Sequence, residues 1–362
     1  MRRPIAFAVC VMTGVGITAQ TAPSTSLLVL SKNDLALVIV DPVTLKAVAR
    51  IPSGPDPHEV VVSPDGRFAC ISNYGFGTYN TLTVADLFAR EARAPVNLGA
   101  LRGPHGLMWA GKKVWFTAEG AKVIGSYDPV TNSVDLVLGT GQNRTHMIYV
   151  TDDLKRIITT NVSSATVSII DQVTLPPFGR GPAPGAAQAP GGRPAASPAT
   201  AARQAGPSST PRIDWDQTVV PVGPGAEGFD VTPNGKEIWT GNAQDGTISI
   251  VDLALKKNIF TIMANTPGIN RLKITPDGKL ALVSTLTGPE LVVYDVRTRK
   301  QVKRVTVGHG AAGIQIQPDG KRAYIACSPD NYVAVLDLST LEVAGRIDAG
   351  GQPDGLAWAV RR

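Results

Sequence analysis

Three of the chain's four histidines open the same short phrase. His58 begins HEVVVSPDG, His105 begins HGLMWAGKK and His146 begins HMIYVTDDL, each reading as an apolar strand that runs into a turn. Other copies put Glu227 (EGFDVTPNG), Asn270 (NRLKITPDG), Ala312 and Asp354 at that position, and His309 lies three residues ahead of its own copy. Imidazoles far apart in the chain but equivalent in a repeat can converge on one ion at roughly 2.0–2.1 Å, leaving a coordination place for water or substrate. Imidazole suits zinc, copper or iron better than calcium, and residue type does not rank those three. Glu227 or Glu59 could be a further ligand, an orienter of an imidazole, or a base, and His309 could reach the same place from its loop. Arg144 and Arg271, close to the shared position, could hold an anionic group or balance the carboxylates. Two other readings stand beside the ion: a wet polar channel in which each histidine bonds a loop carbonyl, and metal-free acid–base chemistry.

The elements that must position these residues are written in the same repeat. Its fullest form runs from Ala312 to Cys327 and continues from Tyr332 to Asp337: a short strand, a Pro-Asp-Gly turn, a second strand, a polar connection and a third strand ending in Asp. The phrase starts at 58, 105, 146, 227, 270, 312 and 354, so only the spacing from 146 to 227 departs far from about 40 residues. Seven units of about four strands predict an all-β, seven-bladed β-propeller, because one small twisted sheet cannot cover both its faces and must stack on neighbours around an axis. The shared position would then start each innermost strand and ring the mouth of the central channel. Leu27 to Leu30, Ala36 to Val40 and Ala47 to Ile51 read as strands with no phrase before them, while the copy at Asp354 ends after one strand. Together they predict one shared blade that closes the ring and leaves no free edge at the axis.

Outside the repeats, residues 1–22 have a basic start, an apolar middle and small residues before a cut after Ala19 or Ala22, the pattern of a secretory signal peptide. This predicts a periplasmic or secreted protein without a membrane span. The propeller occupies 27–362, interrupted at about 176–212 by a Pro/Ala/Gly-rich insert within the third blade that composition predicts to be disordered. Connections from third to fourth strand lie on the rim opposite the histidines, which keeps the insert away from them. Cys70 and Cys327 fall on the second strands of non-adjacent blades and read as buried thiols rather than a disulfide. The connection Asn73 to Asn80 carries Tyr74, Phe76 and Tyr79, which could cover the mouth or cap the blade. The formal charge of +6 comes without a basic cluster interleaved with aromatics, which argues against nucleic acid. Asp65, Asp277 and Asp319 recur in turns, and Asp86, Asp128, Asp252, Asp295 and Asp337 at or near third-strand ends, so both sets read as structural.

Ile158-Thr-Thr-Asn161 and Cys70-Ile-Ser-Asn73 resemble the second-strand motif of the YVTN, or YncE-like, seven-bladed propeller family, and the repeat resemblance covers almost everything from Leu27 onward except the insert. The resemblance implies the fold. It transfers no catalytic residue, since related propellers include lactone hydrolases, lyases, copper oxidoreductases and proteins without an assigned activity. The sequence therefore predicts an exported propeller with a His-lined transition-metal site acting on a small molecule, the alternative being a propeller that binds a ligand or protein partner without catalysis.

Overall fold

A computed structural model of the protein describes residues 24–176 and 211–361; the expected leader and most of the insert lie outside them. The described residues form seven antiparallel sheets, and the sheets follow the repeat. Their innermost strands are Pro57–Val62, Pro104–Ala110, Thr145–Val150, Ala226–Val231, Ile269–Ile274 and Ala311–Ile316 in blades 1 to 6, and Pro353–Val360 in blade 7. Blade 7 closes the ring as the sequence predicts: Pro353–Val360 pairs with Thr25–Ser31, which pairs with Ala36–Asp41 and then Lys46–Pro52. Among the described residues no helix is long and apolar enough to cross a membrane.

Alternation along each strand explains how sheets this small are stable. Leu27 and Val29 join a cluster with Tyr324, Ala326 and Val333 of blade 6, whereas Leu28 and Leu30 join one with Val60, Ala69 and Ile71 of blade 1. Successive side chains thus serve opposite neighbours. The described residues contain seven such clusters, one between each pair of adjacent blades.

At the Pro-Asp-Gly turns, Gly66, Gly278 and Gly320 adopt φ near +70°, which favours glycine. The Asp65, Asp277 and Asp319 carboxylates accept the amide two residues on, and Asp128, Asp252 and Asp337 do the same after third strands. Both recurrent aspartate sets are turn-makers. Asn161 and Asn242, ending second strands, donate to the Thr and Ser hydroxyls of the following strand at 2.7–3.1 Å. This gives the Asn of the YVTN-like motif a structural role. Cys70 and Cys327 are buried and unpaired, and burial pushes the Cys70 thiol up to about 12.

Two elements differ from the sequence reading. In blade 3 the third strand runs to Leu175 and the fourth begins at Arg212, because their ladder continues through ten paired residues toward the insert instead of ending at Ile170 and resuming at Gln217. In blade 1 the fourth strand is split into Glu91–Ala92 and Val96–Asn97, both pairing with Thr81–Asp86. The intervening residues include Pro95, which lacks an amide proton for the ladder.

Candidate functional site

The ring position sits on a bulge. Pro57 pairs with Asn73 and Val60 with Ile71, so His58 and Glu59 together face only Ser72 across the strand pair. The same two-against-one step places His105 and Gly106 opposite Thr117, His146 and Met147 opposite Thr160, and Asn270 and Arg271 opposite Ser284. A bulge leaves a backbone amide without its ladder partner and re-aims the side chain beside it. Here a hydroxyl takes that amide: Glu59 N donates to Ser72 Oγ, Gly106 N to Thr117 Oγ1, Met147 N to Thr160 Oγ1 and Arg271 N to Ser284 Oγ, at 3.0–3.3 Å. Ser and Thr on the second strand therefore stabilise the turn-out that sends residues of three consecutive blades together at the mouth.

The three imidazoles meet. Ring centroids of His58 and His105 are 4.4 Å apart, and those of His105 and His146 are 3.7 Å apart. Tyr74 stacks on His58 at 5.0 Å and meets His105 edge-on at 4.9 Å, so of the three aromatics in the blade 1 connection this one covers the site, while Phe76 is exposed. His105 is 1% exposed and its Nδ1 finds no protein partner. Burial, followed by the neighbouring His146, holds its pKa well below the ordinary histidine value, leaving the ring neutral with lone-pair density to offer.

Carboxylates frame this row. His146 Nδ1 lies 2.5 Å from Glu119 Oε1, and its Nε2 lies 2.6 Å from Glu227 Oε2 in an ion-pair contact that is off the hydrogen-bonding direction. Burial pulls the His146 pKa down, but Glu227 and Glu119 outweigh it and the net shift is upward. Burial likewise opposes the charge on Glu227, and His146 with Arg144 overcomes it to hold that carboxyl at about 2. Glu119 also accepts from Tyr74 Oη at 2.5 Å and from Arg144 Nε at 3.5 Å. On the other side, His58 Nδ1 is 2.8 Å from Asp354 Oδ2 and 2.9 Å from Lys32 Nζ, and Lys32 also pairs with Asp56 and Asp354. Arg271 pairs with Glu59.

With neutral imidazoles, the five carboxylates of Asp56, Glu59, Glu119, Glu227 and Asp354 face three fixed cations, Lys32, Arg144 and Arg271, a formal balance of −2 that one divalent cation cancels. Two trios hold one ligand atom from each member within 4.8 Å of the others: His58, Glu59 and His105, and the fully buried His105, Glu119 and His146. His105 belongs to both. The contacts Asp354–His58 and Glu119–His146 have the form by which a carboxylate fixes the ring of a metal-ligating histidine.

The sequence-predicted residues divide accordingly. His58, His105, His146, Glu59 and Glu227 come together, with Arg144 and Arg271 paired to the two glutamates. His309 stands apart from the cluster: its side chain is 66% exposed and its partner is Asp330. Glu119 and Lys32 were not singled out by sequence reasoning. A signal existed, because Lys32, Tyr74 and Glu119 each immediately follow the second strand of blades 7, 1 and 2, and so form another column of the repeat.

No family model matches the chain, and no curated protein matches it. Its likeness to solved structures spans nearly the whole chain. A putative 6-phosphogluconolactonase from Bacteroides uniformis superposes with a TM-score of 0.68 at 16% identity over 92% of this chain and 99% of its own. A functionally unknown protein from Desulfotomaculum acetoxidans gives 0.68 at 12% identity, over 93% of this chain and 99% of its own. The dihydro-heme d1 dehydrogenase NirN in complex with DHE gives 0.59 at 16% identity, over 93% of this chain and 75% of its own. These likenesses show the seven-bladed propeller fold, and no family model confirms the YVTN resemblance.

Proposed function

We propose that the mouth of the propeller holds a transition-metal ion and uses it on a small anionic molecule in an exported protein. The observation that carries this reading is His105: a neutral, buried imidazole with an unpartnered ring nitrogen, shared by both histidine–carboxylate trios. A buried polar atom left alone costs about 1–3 kcal/mol, and an ion at that nitrogen removes the cost. The trio of His105, His146 and Glu119 is assigned as the metal position, with the two imidazoles as ligands and Glu119 fixing the His146 ring, and His58 and Glu59 stand beside it. A divalent ion in such a site supplies Lewis acidity toward a carbonyl or lowers the pKa of water. Zinc, copper and iron all suit imidazole and are not ranked.

The chain's own residues supply the rest. Glu227 contacts His146 from the more open side, with a side chain 14% exposed against 5% for Glu119. Held ionised, it is the carboxylate placed to accept a proton from a reacting group at the mouth. Arg144, whose side chain is half-exposed, bridges Glu119 and Glu227 and can turn one donor to an incoming anion. Glu59 and Arg271 neutralise each other below the ring and serve its shape and charge. Some similar folds carry names describing lactonase and dehydrogenase activities, and this site's carboxylate base beside imidazole ligands supports hydrolysis of an anionic lactone or ester as the reaction class to try first.

Elemental analysis after reconstitution with zinc, copper and iron tests the proposal. The wild type should retain an ion that His105→Ala and His146→Ala lose, with His58→Ala losing less. Turnover of lactones should then require both the ion and Glu227. Retention of no metal by the wild type, or equal retention by all variants, rejects the site and favours a polar channel that binds without catalysis.

A further inference from the structure

Beside the histidine ring lies an axial cavity of about 430 Å3 lined by all seven innermost strands. Its lining includes the residue three places after the ring position on every blade, and Glu59, Met147 and Arg271 one place after it. The first layer down carries Glu59, Met147 and Arg271, with glycine on the other four blades. Those glycines are required by closeness: a Cβ at Gly313 would lie 2.2 Å from Asp354 O, and one at Gly355 would lie 2.4 Å from His58 O. Gly313 and Gly355 belong to blades 6 and 7, which separate Arg271 on blade 5 from Glu59 on blade 1. Their missing side chains leave room for that ion pair to meet across the axis and floor the histidine mouth.

The second layer down divides in two. Blades 1 to 3 contribute Val61, Met108 and Tyr149, and blades 4 to 6 contribute Asp230, Lys273 and Gln315. Asp230 is occupied by backbone amides, accepting from Val231 N at 3.0 Å and Ile274 N at 2.9 Å. Gln315 donates to Ile316 O at 2.8 Å. Among the described residues no carboxylate pairs with Lys273, so an ammonium faces an apolar wall across the channel, and Trp109 and Trp358, which pack against the cores between blades 1 and 2 and between blades 6 and 7, border the same cavity. An inorganic anion would leave the apolar wall unused, and a neutral hydrocarbon would leave the ammonium unpaired. The group that answers both is a flat organic anion of modest size.

We propose that the axial channel is a second ligand site, entered from the rim opposite the histidines, which takes a small aromatic carboxylate with its carboxylate on Lys273 and its ring against Val61, Met108 and Tyr149. Glu59 and Arg271, paired with each other, border both this site and the histidines, so the two readings are separated by measuring the ligand with and without metal.

Benzoate, with benzyl alcohol as the neutral analogue, is the probe, followed by calorimetry and by tryptophan fluorescence on the full chain, both metal-stripped and metal-loaded. Benzoate should bind saturably and equally in both states, and benzyl alcohol at least about tenfold more weakly. Lys273→Met should weaken benzoate by about tenfold or more, and Val61→Trp, which fills the channel, should abolish binding while circular dichroism stays unchanged. Should either variant fold poorly, Lys273→Gln and Val61→Phe give the same readout. Absence of saturable binding at millimolar benzoate, equal binding of the alcohol, or unchanged binding in the channel variants overturns the proposal. Benzoate binding that vanishes on metal removal or in His105→Phe also overturns it, by placing the anion in the mouth.

Discussion

Replacing His105 with Phe separates an ion ligand from a structural histidine, because the two roles predict opposite orders of stability. The His105 ring is packed among His58, Tyr74 and His146, and its Nδ1 has no protein partner. Removing a buried unpaired nitrogen recovers about 1–3 kcal/mol. The larger phenyl ring costs about 1 kcal/mol in crowding, at the low end for overpacking because the adjoining His58 side chain is 18% exposed and can give way. The metal-free variant should therefore equal the wild type or exceed it by up to about 2 kcal/mol, a rise of at most about 3 °C in Tm for a chain of this length. Adding metal at 100 times its Kd should stabilise the wild type by about 2.7 kcal/mol, roughly 4 °C, and leave the variant unmoved. The order of melting thus reverses between the stripped and loaded samples. Differential scanning calorimetry with and without a chelator reads both. If the stripped variant melts several degrees below the wild type, Nδ1 has a stabilising partner and His105 is a structural member of a polar channel. If the variant keeps the metal-induced rise, His105 is not a ligand.

Truncation before Asp354 removes the strand that pairs with Thr25–Ser31 and the buried Leu356, Ala357 and Ala359, so Tm should fall by on the order of 10 °C or more; near-unchanged melting would contradict closure through blade 7. The pH profile should carry the signature of the His146–Glu227 contact in metal-free protein. Glu227 is depressed from its ordinary 4.5 to about 2, so its contribution is complete above 4.5 and is lost as pH falls toward 2. His146 is raised from 6.5, so its contribution is complete below 6.5 and is lost as pH rises through the folded value. Denaturant titrations should find the pair strongest between about 4.5 and 6.5, and Glu227→Gln should flatten both limbs; limbs unchanged in that variant would assign them to other groups. Replacing Gly181 to Pro211 by a short Gly/Ser linker should preserve metal content and turnover, because the ladder of blade 3 ends at Leu175 and Arg212 on the rim opposite the ring; loss of either in a folded protein would place the insert at the site.

What was legible in the sequence follows from what a repeat can record. Blade number, turn chemistry and closure are written once per unit in the Pro-Asp-Gly turns, the third-strand aspartates and the orphan strands at the two ends. The histidine column was legible for the same reason, and His309, three residues out of register, ended on a loop with Asp330 instead. Glu119 went unread because it stands in another column, the residue after the second strand, where most blades carry Val, Ala, Leu or Ser and only blades 7, 1 and 2 carry Lys32, Tyr74 and Glu119. Two of those three blades also carry histidine at the ring position and the third, blade 7, adjoins them, which makes the second column as telling as the first. The Glu59–Arg271 pair was not legible at all. Its partners are 212 residues apart and on blades that do not touch, and they meet only because two intervening blades have glycine at that height.

The bulge joins these observations into one cause. On a regular strand pair the ring residue would pack into a blade interface, where alternation assigns every side chain to one neighbour or the other. By facing two residues with one, each bulge frees a side chain from that assignment and turns it to the mouth, and on blades 1, 2 and 3 the Ser or Thr opposite satisfies the displaced amide. Ser72, Thr117 and Thr160 are therefore positioning residues for His58, His105 and His146, and Thr117 also donates to His146 O at 2.5 Å, tying one histidine's backbone to the blade of the next. The fixed element of this fold is thus a set of backbone openings around the axis. The chemistry of the mouth is set by which side chains occupy the openings on blades 7, 1, 2, 3 and 4, and the remaining two, held by Asn270 and Ala312, contribute a hydrogen bond between blades instead of a reactive group.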